Sequence, residues 1–219
     1  MASVLAVNLA HPRPNAAKGQ LLTGIDKRPT DGPVAVRAPG PMGGGEGSGL
    51  VGDFIGDPKV HGGDDQAVYA YAREDLDIWQ RELERDLGNG VFGENVTTEG
   101  LDVTGARIGE RWKVGSDGLV LEVSRPRVPC RTFADWLAMK GWVKTFTRAA
   151  TPGAYLRVIS PGTMRGGDSI VVVDRPEHDV TIGLVFRAMT LEAELLPRLL
   201  EAEALPDEIK GLARRRVDS

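Results

Sequence analysis

The chain has 219 residues, of which 41% are hydrophobic and 26% charged, enough for one large globular domain or one domain with a small appendage. Its 28 glycines and 14 prolines indicate many turns and disfavour a helical bundle. The net charge of −4, with no basic run longer than Arg214 to Arg216, indicates that nucleic acid is not a partner.

A single cysteine, Cys130, excludes an intrachain disulfide and any multi-cysteine zinc or iron–sulfur site. Such cysteine usage suits a reducing compartment, so we expect a cytoplasmic protein. The longest apolar run, residues 3–10, is interrupted by Asn8 and has no basic residues before it. We therefore expect neither a signal peptide nor a membrane partner.

Short runs of β-branched residues, bounded by glycine or proline, predict a series of strands. They cover residues 3–10, 33–37, 67–71, 95–98, 119–124, 154–160 and 169–174. Gly115 and Gly118 predict an ordinary hairpin turn before the fifth of these runs. Short strands separated by glycine-rich turns are typical of a β-barrel or a β-sandwich.

The segment 38–49 contains six glycines and two prolines. Side chains this small bury too little surface to offset the entropy of ordering the backbone. The composition therefore predicts a flexible loop, with a rigid turn at an active site as the alternative.

Two amphipathic helices are predicted among the strands. The first ends at Gly88 and has one apolar face: Leu76, Trp79, Leu83, Leu87. The second begins at a capping box from Thr132 to Asp135. It is expected to bury these apolar side chains: Phe133, Trp136, Leu137.

From Asp179 onward, apolar residues at helical spacing predict three short helices, the last of them opened by Pro206. We therefore predict two domains, a strand-rich domain over residues 1–178 and a three-helix domain over residues 179–219. Helices this short are marginal alone in water, so they must dock on each other, on the larger domain or on a second copy. A homodimer is one of these arrangements.

The three histidines, His11, His61 and His178, lack a spacing typical of a metal site. His61 lies in a loop rich in glycine and aspartate, where the backbone can approach a ligand closely. The functional interpretation is a titratable ring that faces this ligand. The structural alternative is a histidine that hydrogen-bonds within its own turn, and the segment alone does not favour either.

Cys130 is the most informative position, because it lies on a proline-stiffened loop beside Arg125, Arg127 and Arg131. Nearby cations favour the thiolate, which attacks electrophiles and binds soft metals. The alternative is an inert, buried cysteine, which is the most common kind. The flanking prolines argue against a packed strand interior and favour the functional interpretation.

Several further segments occur in a specific order: Gly24-Ile25-x-Lys27, LVGDFIGDPKVHGG, AVYAYARE, FGENVTT, the turn of residues 105–110, RPRVPC, AYLRVI and RGGDSI. Together they resemble the MOSC family, named for the C-terminal domain of molybdenum cofactor sulfurases, and in particular its YiiM-like branch. The resemblance covers nearly the whole chain. It implies a mainly β fold, a MOSC-type β-barrel with a few helices, followed by a small C-terminal three-helix domain.

The resemblance also implies a function, which is binding of the molybdenum cofactor (molybdopterin) with Cys130 as the molybdenum ligand. Cys130 and His61 are then the catalytic candidates. Lys27 and Arg127 would hold the cofactor phosphate. The full set of implied cofactor-binding residues is Lys27, Asp57, Tyr71, Asn95, Arg127. Without the resemblance, Asn95 at the start of a strand is a turn residue.

Three functions are compatible with these residues. The first is a detoxifying reductase of a small N-hydroxylated base or related N-oxygenated compound. It would need electrons from a separate electron-donor reductase. The second is a carrier of the cofactor or of persulfide sulfur, without turnover of a small molecule. The third is a binding protein in which the cysteine is incidental.

Overall fold

The β-branched runs form one large mixed sheet and two small strand pairs. The structure is a computed structural model that describes residues 1–17, 19 and 21–217. Its strands are β1 (Ser3–Ala10), β2 (Arg13–Pro14), β3 (Leu22–Thr23), β4 (Lys27–Pro29), β5 (Val34–Val36), β6 (Val68–Ala72), β7 (Val96–Glu99), β8 (Arg111–Val114), β9 (Leu119–Pro126), β10 (Ala154–Ser160), β11 (Gly162–Met164) and β12 (Ile170–Asp174).

The large sheet has the strand order β12-β8-β9-β10-β6-β7-β1-β4. Its neighbours are antiparallel except β6 and β7, which are parallel. The start of β1 reaches the segment before β12 through one isolated bridge between Ser3 and Ser169. A single bridge is not a continuous ladder, so the sheet is open and the expected barrel closure is not confirmed. The expectation of a strand-rich fold is confirmed.

Most predicted strands are present, and β1 and β10 have the predicted bounds. The hairpin at Gly115 and Gly118 is confirmed, because it joins β8 to β9 with Val114 opposite Leu119. Strands β2, β3, β4, β8 and β11 were not predicted. They are two to four residues long and β4 and β8 carry charged residues, so the sequence shows no apolar run there.

The α-helices are α1 (Arg73–Glu82), α2 (Arg131–Trp136), α3 (Trp142–Ala149), α4 (Ile182–Thr190) and α5 (Asp207–Val217). Helix α1 ends well before the predicted Gly88, because Glu84 has a left-handed φ of 48° that stops the helix. Leu87 is nevertheless buried, as predicted. The chain turns back there, and the Gln80 side chain accepts a hydrogen bond from the Leu87 amide at 3.0 Å.

The predicted capping box of α2 is wrong. Cys130 occupies the N-cap position and makes no side-chain capping bond, so Thr132 lies inside the helix. The Thr132 hydroxyl instead accepts a hydrogen bond from Asn15 Nδ2 at 3.3 Å. Helix α3 was not predicted, and it buries Trp142 and Phe146.

Two apolar clusters hold the fold together. The first lies between the large sheet and the C-terminal helices. The second is aromatic and is formed by α1, α2, α3 and β6: Tyr69, Tyr71, Trp79, Phe92, Phe133, Trp142, Phe146. Because Phe133 of α2 is fully buried in this second cluster, the cluster fixes the start of α2 and with it Cys130.

The C-terminal segment packs on the sheet. Its middle part is a 3₁₀ helix, Ala193–Glu201, rather than the predicted α-helix, since Pro197 cannot donate an α-helical hydrogen bond. Ile108 N donates to Val180 O at 3.0 Å, and Arg157 Nη1 donates to Ala204 O at 2.7 Å. The division at residue 178 stays a prediction. None of the helices in the described ranges has the length and apolar character needed to cross a bilayer.

The glycine-rich segment 38–49 forms hydrogen-bonded turns. Gly45 N donates to Pro41 O at 2.8 Å, and Gly63 N donates to Gly47 O at 2.8 Å. A Cβ on Gly62 would lie 2.5 Å from Gly47 O, so this contact requires glycine. Specific packing of this kind fits the alternative of a rigid turn better than a flexible loop.

Candidate functional site

One cleft collects most of the predicted site residues. Its empty space is about 830 Å³, including the part that is open to solvent. Apolar groups such as Ile25 and Phe54 line it together with polar ones. Six predicted residues face it: Lys27, Asp57, His61, Asn95, Arg127, Cys130.

Cys130 reaches the cleft because β9 ends at Pro126 and α2 begins at Arg131. The intervening loop, residues 127–130, leaves the sheet, and Arg127, Val128 and Cys130 all line the cleft. The thiol is partly exposed and free of any disulfide. The loop thus presents a soft metal ligand at the cleft wall.

Arg127 is a buried cation with unused hydrogen-bonding capacity. Its residue exposure is 7%, and its guanidinium carbon lies 3.9 Å from the centre of the Phe133 ring. Nη1 is buried and has no hydrogen-bond partner among the described residues, where Arg127 also forms no ion pair. A buried charge without a partner is costly, so an anion in the cleft would be bound strongly.

Lys27 also faces the cleft, but a carboxylate already compensates its charge. Its Nζ lies 2.6 and 2.8 Å from the two oxygens of Asp53, whose side chain is fully buried. Burial opposes ionisation of Asp53, but Lys27 and hydrogen bonds from Ser48 and Asn95 outweigh it and lower the pKa of Asp53. Burial lowers the pKa of Lys27, against the attraction of Asp53.

Asn95 links the Asp53 pair to β6. Its Nδ2 donates to Asp53 Oδ2 at 2.9 Å, and its Oδ1 accepts a hydrogen bond from Tyr69 N at 3.1 Å. The preceding Glu94 is buried, and its carboxylate accepts hydrogen bonds from Gly90 N at 2.5 Å and Phe92 N at 3.0 Å. Burial raises the pKa of Glu94. Asn95 therefore stabilises the turn that precedes β7 and also faces the cleft.

His61 and Asp57 lie on the loop that follows the GDFIGD segment. Both line the cleft and both are partly exposed. His61 N donates to Asp57 O at 3.0 Å, which closes a turn between them. A Cβ on Gly56 would lie 2.3 Å from Leu22 O, so glycine is required where this loop meets the β2–β3 hairpin.

Tyr71, a predicted cofactor-binding residue, lies outside the cleft. Its ring is fully buried in the aromatic cluster, with its centre 5.1 Å from that of Phe92. Its hydroxyl donates to Thr151 O at 2.9 Å and accepts a hydrogen bond from Trp79 Nε1 at 3.0 Å. Tyr69, two residues earlier on the same face of β6, lines the cleft instead.

The sequence did not reveal Asp53, Tyr69 and Tyr155 as site residues. Asp53 and Tyr69 lie inside the motifs that carry the resemblance, but the resemblance implies the neighbouring Asp57 and Tyr71 instead. Tyr155 lies on β10 and reaches the cleft because it pairs with Arg125 of β9. Such ladder pairing has no signal in local sequence.

The donor set fits a metal that arrives with its own ligands. The described parts of the chain contain no group of three or more His, Cys, Asp or Glu residues that could hold a metal ion. Cys130 offers a single thiol, and Arg127, whose Nη1 has no hydrogen-bond partner among the described residues, offers a cation for an anionic group. A molybdenum atom held by a phosphorylated pterin would use both.

These features define a strand-rich protein with a thiol and a buried cation at one cleft. The chain belongs to the MOSC domain family, whose model matches residues 57–171. The family is associated with the molybdenum cofactor. The predicted resemblance is thereby confirmed.

Two bacterial relatives each match more than two thirds of the chain. The uncharacterized protein YflK of Bacillus subtilis (strain 168) is 30% identical over 220 residues, which cover 99% of this chain and 95% of that protein. YiiM of Escherichia coli (strain K12) is 30% identical over 163 residues, which cover 72% of this chain and 71% of that protein.

A fungal relative and a solved structure extend the comparison. A protein of Gibberella moniliformis named reductase is 29% identical over 221 residues, 99% of this chain but 37% of that protein. The crystal structure of YiiM from Geobacillus stearothermophilus has a TM-score of 0.78 and 25% identity, and the match covers 99% of this chain and 100% of that chain.

Proposed function

We propose that this protein is a molybdenum-cofactor-dependent reductase of N-hydroxylated bases or related N-oxygenated compounds, with Cys130 as the protein ligand to molybdenum. The observation that carries the proposal is that a free thiol shares the cleft with the buried Arg127, whose Nη1 has no hydrogen-bond partner among the described residues. Membership of the MOSC family and the relative named reductase support the cofactor and the class of reaction.

Arg127 would bind the anionic group of the cofactor through its free Nη1 donor. Asn95 would fix the position of the pterin edge, because its own hydrogen bonds to Asp53 and Tyr69 hold the amide in place. Lys27 would donate a hydrogen bond to the cofactor from its remaining N–H. Its charge is already compensated by Asp53, which accepts the other two hydrogen bonds.

When bound, the cofactor supplies two-electron oxygen-atom chemistry at a metal that can cycle between oxidation states. The chain itself orients the substrate, excludes water and moves protons. Phe54 and Ile25 cover part of the cleft wall with apolar surface. His61 is positioned at the same cleft to hold or deliver a proton.

The reaction needs electrons from outside this chain, so a separate electron-donor reductase is part of the proposal. The named reductase from Gibberella moniliformis is longer than the match, which covers 37% of it. We further propose a cytoplasmic protein that detoxifies N-hydroxylated compounds, since a single partly exposed thiol at the site suits a reducing compartment.

The test uses the cofactor-loaded protein, a chemical reductant such as reduced methyl viologen, and an N-hydroxylated purine. We expect molybdenum in the purified protein at a fixed ratio to the chain and conversion of the N-hydroxyl to the amine. Molybdenum without turnover of N-hydroxylated substrates would favour the carrier function. Absence of molybdenum after expression with an intact cofactor supply would overturn both functions.

A further inference from the structure

Tyr155 is a cleft tyrosine whose hydroxyl lies beside the Arg127 guanidinium. Of the three tyrosines, Tyr69 donates to Pro152 O and Tyr71 donates to Thr151 O, each at 2.9 Å. Within the described part of the chain, Tyr155 donates to no backbone carbonyl, and its oxygen can only accept from Arg127, so its own proton is not committed. It lines the cleft, and its ring packs against Tyr69 with the two centres 5.1 Å apart. Packing of this kind holds the phenol in a defined orientation.

The β9–β10 ladder explains why Tyr155 lies near the thiol. Tyr155 pairs with Arg125, and β9 then continues through Pro126 into the loop that carries Arg127 and Cys130. Among the described residues, four charged or titratable groups face the phenol: the guanidinium groups of Arg127 and Arg125, the Cys130 thiol and the Tyr69 hydroxyl. The two guanidinium groups of this set stabilise a phenolate at this position.

The phenol carries its proton at neutral pH, since burial raises the pKa of Tyr155 while Arg127 and Arg125 oppose that rise. A protonated phenol next to a cation is suited to general acid catalysis, because the cation stabilises the anion that remains after proton transfer. The cation at this position is Arg127, whose Nη1 has no other partner among the described residues.

Reduction of an N-hydroxyl group consumes protons. The overall step is R–NHOH + 2 e⁻ + 2 H⁺ → R–NH₂ + H₂O, in which the N–O bond breaks, the nitrogen is reduced and the electron-donor protein is oxidised through the cofactor. Lys27 and Tyr69 already donate to Asp53 and Pro152. Tyr155 is therefore a cleft group placed to supply a proton.

We propose that Tyr155 is a catalytic proton donor to the departing oxygen of an N-hydroxylated substrate. The inference rests on the proposed function and adds a residue to it. Removal of the hydroxyl in Tyr155→Phe should lower kcat by about a hundredfold, at the low end of general acid catalysis. KM and the molybdenum content per chain should stay within about twofold of the parent, because the ring and its packing are kept.

A second substitution separates proton donation from a structural role. Site-specific 3-fluorotyrosine at position 155 keeps the hydroxyl and lowers its pKa. It should restore most of the rate lost in Tyr155→Phe and move the alkaline limb of the kcat–pH profile to lower pH. The ¹⁹F NMR signal of the same residue, followed against pH in cofactor-free protein, should show a higher pKa when Arg127→Gln removes the neighbouring charge.

Each outcome decides the proposal. A Tyr155→Phe protein with kcat near that of the parent overturns it, and so does a loss of molybdenum in proportion to activity, which would make Tyr155 a cofactor-holding residue. An unchanged ¹⁹F titration in Arg127→Gln would show that the two groups are not coupled and also overturns it. If the parent protein reduces no N-hydroxylated purine, the proposed function itself fails, and the proton transfer to that substrate fails with it.

Discussion

Lys27 and Asp53 form a buried ion pair, with Nζ 2.6 and 2.8 Å from the two carboxylate oxygens. Asp53 also accepts hydrogen bonds from Ser48 Oγ at 2.7 Å and from Asn95 Nδ2 at 2.9 Å. The pair therefore organises one wall of the cleft. Arg127, and not Lys27, supplies the positive charge at the cleft that no carboxylate of the described residues pairs with.

The first prediction concerns this pair. Lys27→Met should destabilise the protein by about 3 to 5 kcal/mol, because it leaves Asp53 buried and unpaired. The double variant Lys27→Met/Asp53→Asn should be less destabilised than the single one, since no isolated charge remains. Urea unfolding followed by tryptophan fluorescence measures both. Equal loss in the single and double variants would show that the charge of Asp53 is not what Lys27 compensates.

The second prediction concerns how strongly Arg127 holds the cofactor. Arg127→Met should weaken cofactor retention by about ten- to a hundredfold, the equivalent of one charge-assisted hydrogen bond of about 1.5 to 3 kcal/mol. Molybdenum content after dialysis measures the effect. The exposed Arg148 of α3 offers a matched control, Arg148→Met, which should retain the cofactor like the parent. Parental retention in Arg127→Met would reject the anion-binding role.

The third prediction tests the thiol. Cys130→Ser should abolish molybdenum-dependent activity, because a hydroxyl is a poor ligand for a soft metal. The thermal midpoint should not fall, since Cys130 stands at the N-cap of α2 without a capping bond and serine is a favoured N-cap residue. Activity and differential scanning calorimetry on one sample separate the two effects. A serine variant with near-parental turnover would exclude Cys130 as the metal ligand.

The fourth prediction concerns pH and Asp75 in the first turn of α1. Burial, and to a smaller extent the nearby carboxylates Asp102 and Glu74, raise the pKa of Asp75 to about 6. A carboxyl whose folded pKa is raised contributes stability below its unfolded pKa near 3.9 and loses it as the pH rises through about 6. Asp75→Asn should therefore stabilise the protein at pH 8, by about 1 to 2 kcal/mol.

The same variant should have much less effect at pH 4, where Asp75 is protonated in the folded state and about half protonated in the unfolded state. Unfolding free energies of the parent and Asp75→Asn at pH 4, 5, 6 and 8 trace the difference. Glu82→Gln, which removes an exposed carboxylate from the same helix, is the control. A parent–variant difference that does not change between pH 4 and 8 would contradict the raised pKa.

Some elements of the fold follow from local sequence and others do not. Strands β1 and β10 have the predicted bounds because their apolar runs are long and end at turns. Helix α3 lacks such a signal, since it is short and starts after Gly141, which has a left-handed φ of 78° and offers no capping side chain. Its stability comes from aromatic packing in the tertiary structure rather than from propensity.

The residues of the candidate site also divide into those that follow from local sequence and those that depend on tertiary contacts. Cys130 and Arg127 were identified from a local motif, and the structure places both at the cleft. Asp53 becomes important only through burial and through its contact with Lys27, which lies 26 residues away. Tyr155 depends on the pairing of β9 with β10. Properties that arise from long-range contacts cannot be read from one short segment.

The last prediction tests how the C-terminal helices are coupled to the sheet. Leu199 is fully buried in the cluster that also contains sheet residues, whereas the adjacent Leu200 is 37% exposed. Leu199→Ala should cost about 2 to 5 kcal/mol through lost burial and a cavity. Leu200→Ala, the matched control, should change stability by less than about 0.5 kcal/mol.

Because the cluster is shared, Leu199→Ala should shift one cooperative unfolding transition of the whole chain. Calorimetry and the fluorescence of Trp112, which is buried in the sheet part of the cluster, should report the same midpoint. If residues 179–219 are instead an independent domain, Leu199→Ala will produce a separate early transition and leave the Trp112 midpoint unchanged. That result would support the predicted boundary at residue 178 and would show that the contacts of Val180 and Ala204 with the sheet contribute little to stability.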